Sequence, residues 1–292
     1  MKKILFSIIG TIGLLTASFG QEYDEDGFNP LGSKKIHRSD IMWKKTVTRR
    51  LDLREKQNMP LYSKEHEISG LIVDAVREGI ITPYKNDSLK SKMSIDEFLS
   101  AITLPAFKDA AMAQEMGMED DFDNMEDDME GGFDDMDDGM GEEEEAVSDE
   151  DKYFFPKDLY LIDLAEDIIF DKQRSRQYYD IISFTFYLSA DHPENLKKID
   201  EVIASFSYKE LMEKLFKDNP EAIWFNPYND SEHRNLTDAF ELRLFHGYII
   251  KVSNPRDELL IDIYGGNVKT GIMASQWKAF ELLEYEHNLW EF

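Results

Sequence analysis

DLYLIDLAEDIIFDKQRSRQYYDIISFTFYLSAD, residues 158–191, is the stretch that decides the fold. Two runs rich in Ile, Phe and Tyr, residues 159–170 and 177–188, flank the polar DKQRSR, as strands flank a turn. A long β-hairpin follows from that pattern. Helical segments on both sides of it make the class α+β.

Downstream, residues 194–206 place Leu196, Ile199, Val202, Ile203 and Phe206 in helical register, which predicts a helix. Ser207 and Glu210 have capping-box spacing and would open a second helix through Leu211, Leu215 and Phe216, ending before Asn219-Pro220. Residues 222–225 read as a short strand. Thr237 reads as the cap of a helix over Ala239, Phe240, Leu242, Leu244 and Phe245, stopped by Gly247. Residues 248–252 and 259–264 read as paired strands before a turn at Gly265-Gly266-Asn267. The closing helix, residues 272–287, is expected to bury Met273, Trp277, Phe280 and Leu283, with Leu282 beside them.

Upstream lies an acidic tract. Residues 115–151 hold 20 Asp and Glu with no Lys or Arg, a block of like charge that repels itself and stays solvated. Without it, 40 acids face 33 bases, so a net charge of −27 falls to −7. Met118, Phe122, Met125, Met129, Phe133, Met136 and Met140 would share one helical stripe, yet acid repulsion and Gly131-Gly132 oppose a free helix. A solvating linker is the plain expectation. Folding against a basic or apolar groove is the alternative.

Before the tract, IMWKKTVTRRLDLREK, residues 41–56, fits two periods. Trp43, Val47 and Leu51 suit a helix face, whereas Val47, Arg49, Leu51 and Leu53 suit a strand. The favoured reading is a helix giving way to extended chain before Pro60. Ile68, Leu71, Ile72, Ala75 and Val76 mark a firm helix that Gly79 ends. Ser94 and Glu97 form a capping box for a helix over Ile95, Phe98, Leu99 and Ile102, closed by Pro105.

The chain begins like an export signal: Lys2 and Lys3, an apolar run, then Ser18-Phe19-Gly20 before Gln21. The expected division is a signal peptide at 1–20, a flexible leader at 21–38 and an α+β region at 39–106. An acidic, Met-rich linker at 107–151 and a C-terminal α+β domain at 152–292 complete it. Cysteine is absent, which removes disulfides, thiolate metal sites and a Cys nucleophile. Net acidity argues against nucleic acid, which needs a clustered basic face.

Catalytic motifs fail on chemistry. GGNVKTG puts Val268 where a phosphate loop needs Gly, and Lys269-Thr270-Gly271 has no Ser-x-x-Lys upstream. The six His are scattered without zinc spacing, and residues 134–145 carry Met136 and Gly141 where a calcium loop needs other residues. No catalytic residue, cofactor or metal site is expected. Among the aromatics, Trp43, Trp224 and Trp277 suit a core. Trp290 and Phe292, placed beyond the final helix, are the candidate partner-binding anchors.

DIMWKKTVTRRLDLREKQNMPLYS (40–63), ISGLIVDAVREGIITPYKNDSL (68–89), EDIIFDKQRS (166–175), YIIKVSNPRDE (248–258) and FELLEYEHNLWEF (280–292) carry a resemblance. They resemble the GldN/PorN family of gliding-motility and type IX secretion proteins. Residues 190–235 depart from the family pattern, and the acidic tract resembles an insertion. The resemblance implies a non-catalytic periplasmic ring subunit that assembles with a GldK/PorK-type outer-membrane lipoprotein and with copies of itself. It also implies contact with a GldM/PorM-type motor protein, and membrane association only through partners. The competing classes are an exported hydrolase using Asp or Glu and an acidic divalent-ion-binding protein.

Overall fold

The computed structural model describes residues 23–105, 107–108, 152–195 and 197–290. In chain order come β1 (Ile41–Asp52), the small hairpin β2 (Tyr62–Ser63) and β3 (His66–Glu67), α1 (Ile68–Arg77) and α2 (Ile95–Ile102). After the tract come β4 (Leu161–Asp171), β5 (Arg176–Leu188) and β6 (Glu201–Ser207). A helix follows, α3 (Tyr208–Glu210), which runs on as a π turn, Leu211–Phe216. The hairpin β7 (Ile223–Trp224) and β8 (Arg234–Asn235), α4 (Leu236–Glu241), β9 (Tyr248–Val252), α5 (Leu260–Ile263) and α6 (Val268–Trp290) complete the order.

The central sheet has five strands in the order β6-β5-β4-β1-β9, each pair antiparallel. The hairpin read from residues 158–191 is its spine, with Leu161 opposite Tyr187 and Asp171 opposite Arg176. The Asp171 carboxylate accepts from the Gln173 and Arg174 amides and fixes the turn between them. Residues opposite one another share a face. One face therefore carries Leu51, Ile162, Leu164, Phe184, Phe186 and Phe206, and α1 to α4 cover it. Ile68, Ile72 and Val76 of α1 and Phe98 and Ile102 of α2 point into this core as their spacing predicts. Phe206 meets both Phe98 and Phe186 edge-on, a favoured aromatic geometry.

Gly79, with φ +73°, ends α1 where the sequence places the stop, and both halves of the Ser94–Glu97 capping box form. Five segments differ from expectation. Residues 41–52 are strand, because Lys44, Thr46 and Arg50 find partners on β4: Lys44 with Asp167 at 2.8 Å, Thr46 with Asp167 at 2.6 Å and Arg50 with Asp163 at 2.7 Å. The expected helix over residues 194–206 is a turn followed by β6, whose backbone pairs with β5; Leu196 lies outside the described residues. Ser207 precedes α3 without donating or accepting a capping bond, and α4 is capped by Asn235 instead of Thr237 and stops at Glu241. Residues 260–263 form a helical turn instead of a strand, and Leu260 joins a second core.

The stretches 39–106 and 152–292 are parted in sequence and joined in space. β1 lies between β4 and β9, and Leu51, Leu53 and Ile68 share a core with Leu161 and Phe184. Residues 23–38, read as a flexible leader, are pinned across β5 where that strand lacks β6 as a neighbour. The Ser33 amide and hydroxyl and the Lys34 amide all donate to Asp180 Oδ1, at 2.8, 2.6 and 3.1 Å. Burial pushes the Asp180 carboxyl above its ordinary range, and those hydrogen bonds pull against the shift.

Candidate docking surface

Between the two apolar cores the sheet carries a buried ion cluster. Glu166, with no exposed side-chain surface, accepts from Arg49 Nε at 3.0 Å and Arg243 Nη1 at 2.7 Å. Arg49 also donates to the Gly247 carbonyl at 3.0 Å, and Arg243 lies over the Tyr179 ring at 4.3 Å. On the opposite face Arg50 grips both oxygens of Asp163. Burial raises the Asp163 carboxyl above its usual range, against the pull of Arg50. Every charge in these clusters has a partner, so they lock strands and leave no reactive group free.

Beyond the cluster lies the second core: Val47, Ile168, Ile249, Leu260 and Ala274, flanked by Trp43, Val252 and Leu282. It exists because α6 lies on β1 and β9. Gly271 lets α6 approach α5, since a Cβ there would stand 3.2 Å from the Ile261 side chain. Trp43 meets Tyr285 at 4.7 Å between ring centres, and Gln177 donates to Glu286 at 3.1 Å. A groove of about 420 Å³ remains between α6 and the sheet edge, lined by Trp43, Lys45, Val252, Tyr264, Leu282 and Tyr285 among others.

The outer side of α6 reverses the expected burial. Met273, Trp277, Phe280 and Leu283, expected in the core, are 61%, 64%, 59% and 60% exposed, while Ala274 and Ser275 face the sheet. The physical reason is that α6 is apolar on two sides, and Ala274, Leu282 and Tyr285 fit the groove against Trp43 and Val47. Exposed apolar patches of this kind mark interaction sites. Met273, Trp277, Phe280 and Leu283 together form one exposed apolar patch along α6.

Trp290 is the last residue of α6 rather than lying beyond it. Phe292 and the signal residues Ser18, Gly20 and Gln21 lie outside the described residues, as do the Met/Phe stripe and the calcium-loop-like segment at 134–145. Lys269 and Thr270 lie in the first turn of α6, where Asn267 Oδ1 accepts from the Lys269 amide at 3.0 Å. Among the described residues no group of three or more His, Asp or Glu is placed to hold a metal, and no helix is long and apolar enough to cross a membrane. Sequence reasoning missed the α6 patch although its signal was present: two apolar stripes on one helix, of which only one can face the helix's own sheet.

A search among curated proteins finds no match. The family model described as gliding motility associated protein GldN matches residues 36–291, which spans β1 through α6 and both clusters of charge. The chain thus belongs to the GldN family of gliding-motility-associated proteins.

Proposed function

We propose that this protein is a non-catalytic ring or scaffold subunit of the type IX secretion and gliding-motility machinery in the periplasm. In this reading it sits between a GldK/PorK-type outer-membrane lipoprotein and a GldM/PorM-type motor protein, with copies of itself as further neighbours. The observation that carries it is the exposed face of α6 in a chain of a gliding-motility family. Leaving that face in water costs about 25 cal/mol for every Å² of apolar surface, a cost that a permanent neighbour removes. The start of the chain supports export, through Lys2, Lys3, the apolar run and Ser18-Phe19-Gly20 ahead of Gln21. Net acidity supports association with basic partner surfaces.

The test is genetic and biochemical together. Deleting the gene is expected to stop gliding and cargo export, and mild-detergent capture of the tagged protein from envelopes is expected to bring down both partner types. Normal gliding and export in the deletion strain would overturn the proposal.

A further inference from the structure

The outer face of α6 has an internal symmetry. Lys269, Met273, Gln276, Phe280, Leu283 and His287 are all exposed and are spaced by 4, 3, 4, 3 and 4 residues. That is the alternation of a coiled-coil seam, and it belongs to the solvent side, since Gly271, Ala274, Ser275, Lys278 and Leu282 turn inward. The series reads the same in both directions about residue 278.

We infer that a second copy of this chain covers this face, with the two α6 helices antiparallel about a two-fold axis at residue 278. In that arrangement Met273 faces Leu283 of the copy and Gln276 faces Phe280, each contact made twice. Trp277 lies beside the axis, where interface hot spots concentrate. Charge selects the direction. Within α6 the bases Lys269 and Lys278 precede the acids Glu281, Glu284 and Glu286. Antiparallel pairing sets Lys269 opposite His287 and within one turn of the exposed Glu284 of the copy. Parallel pairing sets Lys269 on Lys269 and Glu284 on Glu284. The helix dipoles also oppose the parallel form. A two-fold contact of this kind closes on itself and cannot alone propagate a ring, so it adds a pairing step to the scaffold reading, on which it rests for the covered face.

The chain has no cysteine, which makes the test direct. Purified full chain lacking its export signal is prepared as Met273→Cys and, separately, as Leu283→Cys. Under mild oxidation the mixture is expected to give a cross-linked dimer, and neither variant alone is expected to do so. By light scattering the unmodified chain is expected to have the mass of two copies at micromolar concentration. Phe280→Glu is expected to weaken self-association by about thirtyfold or more while far-UV dichroism keeps the native signal, because Phe280 touches solvent in the single chain. Lys269→Glu is expected to weaken it too, and adding Glu284→Lys to that variant is expected to restore it.

Self-cross-linking of each single variant would replace the antiparallel pair with a parallel one and overturn the inference. So would a chain that stays monomeric, or one whose α6 cross-links in envelopes only to a different protein. Those results leave the scaffold reading standing. Normal gliding without the gene removes that reading whatever the cross-links show.

Discussion

Glu166 occupies the middle of β4, has no exposed side-chain surface, and is held by guanidinium groups from positions 117 and 77 residues away in sequence. An acid in that place costs several kcal/mol to desolvate and persists only because Arg49 and Arg243 complete its bonds. Glu166→Ala is therefore expected to leave two half-buried cations facing each other. The cost should be about 3 kcal/mol, at the low end for a broken buried pair because both arginines reach solvent. Calorimetry should show a fall in Tm of about 10 °C, and an unchanged Tm would mean that the cluster contributes nothing to stability. None of this is legible in sequence. Of 60 acids, only the few that meet a distant base inside the sheet are special, and the partners are chosen by strand order rather than by spacing.

At the level of elements, the local signals were reliable where they were local. Gly79, the Ser94–Glu97 capping box and the turn at DKQRSR each act within a few residues and stand where the sequence places them. β1 was misread because its strand character comes from outside it, from Asp163 and Asp167 on β4, and from pairing on both edges. β6 was misread for the same reason: its helical spacing yields to the ladder with β5. β9 also depends on a close approach. A Cβ on Gly247 would stand 2.8 Å from both the Arg50 carbonyl oxygen and Leu51 Cδ1, contacts that neither backbone nor core can relieve. Gly247→Ala is expected to push β9 off β1 and cost about 2 kcal/mol as overpacking. Amide exchange should then quicken at residues 249–252 and over α6 while β5 and β6 keep their protection. Uniform protection across the sheet would show that the approach is not needed.

In the whole molecule, the sheet unites what the acidic tract separates. The α+β class and the family were legible because patterned blocks survive on both sides of the tract, whereas the merging of those blocks was not, since no local signal says that β1 belongs between β4 and β9. The chain leaves and returns through a narrow neck: Thr103 bridges Tyr153, the Leu104 amide donates to the Lys152 carbonyl at 2.9 Å, and the Phe154 amide donates to the Ile102 carbonyl at 2.8 Å. Residues 109–151 carry 21 of the 60 acids and no Lys or Arg, so excising them changes the net charge from −27 to −6. Joining residues 108 and 152 by a short Gly-Ser link is expected to keep the fold and to add up to about 2 kcal/mol through the shorter loop closure. Far-UV dichroism should keep its strand signal and the Tm should hold or rise; an unfolded product would place the tract within the fold's core. The neck also marks a grafting point for whoever wants to watch this subunit at work. A fluorescent reporter whose own ends lie close together, spliced between residues 108 and 152, would dangle from one edge while both chain ends and the outer helix stay untouched.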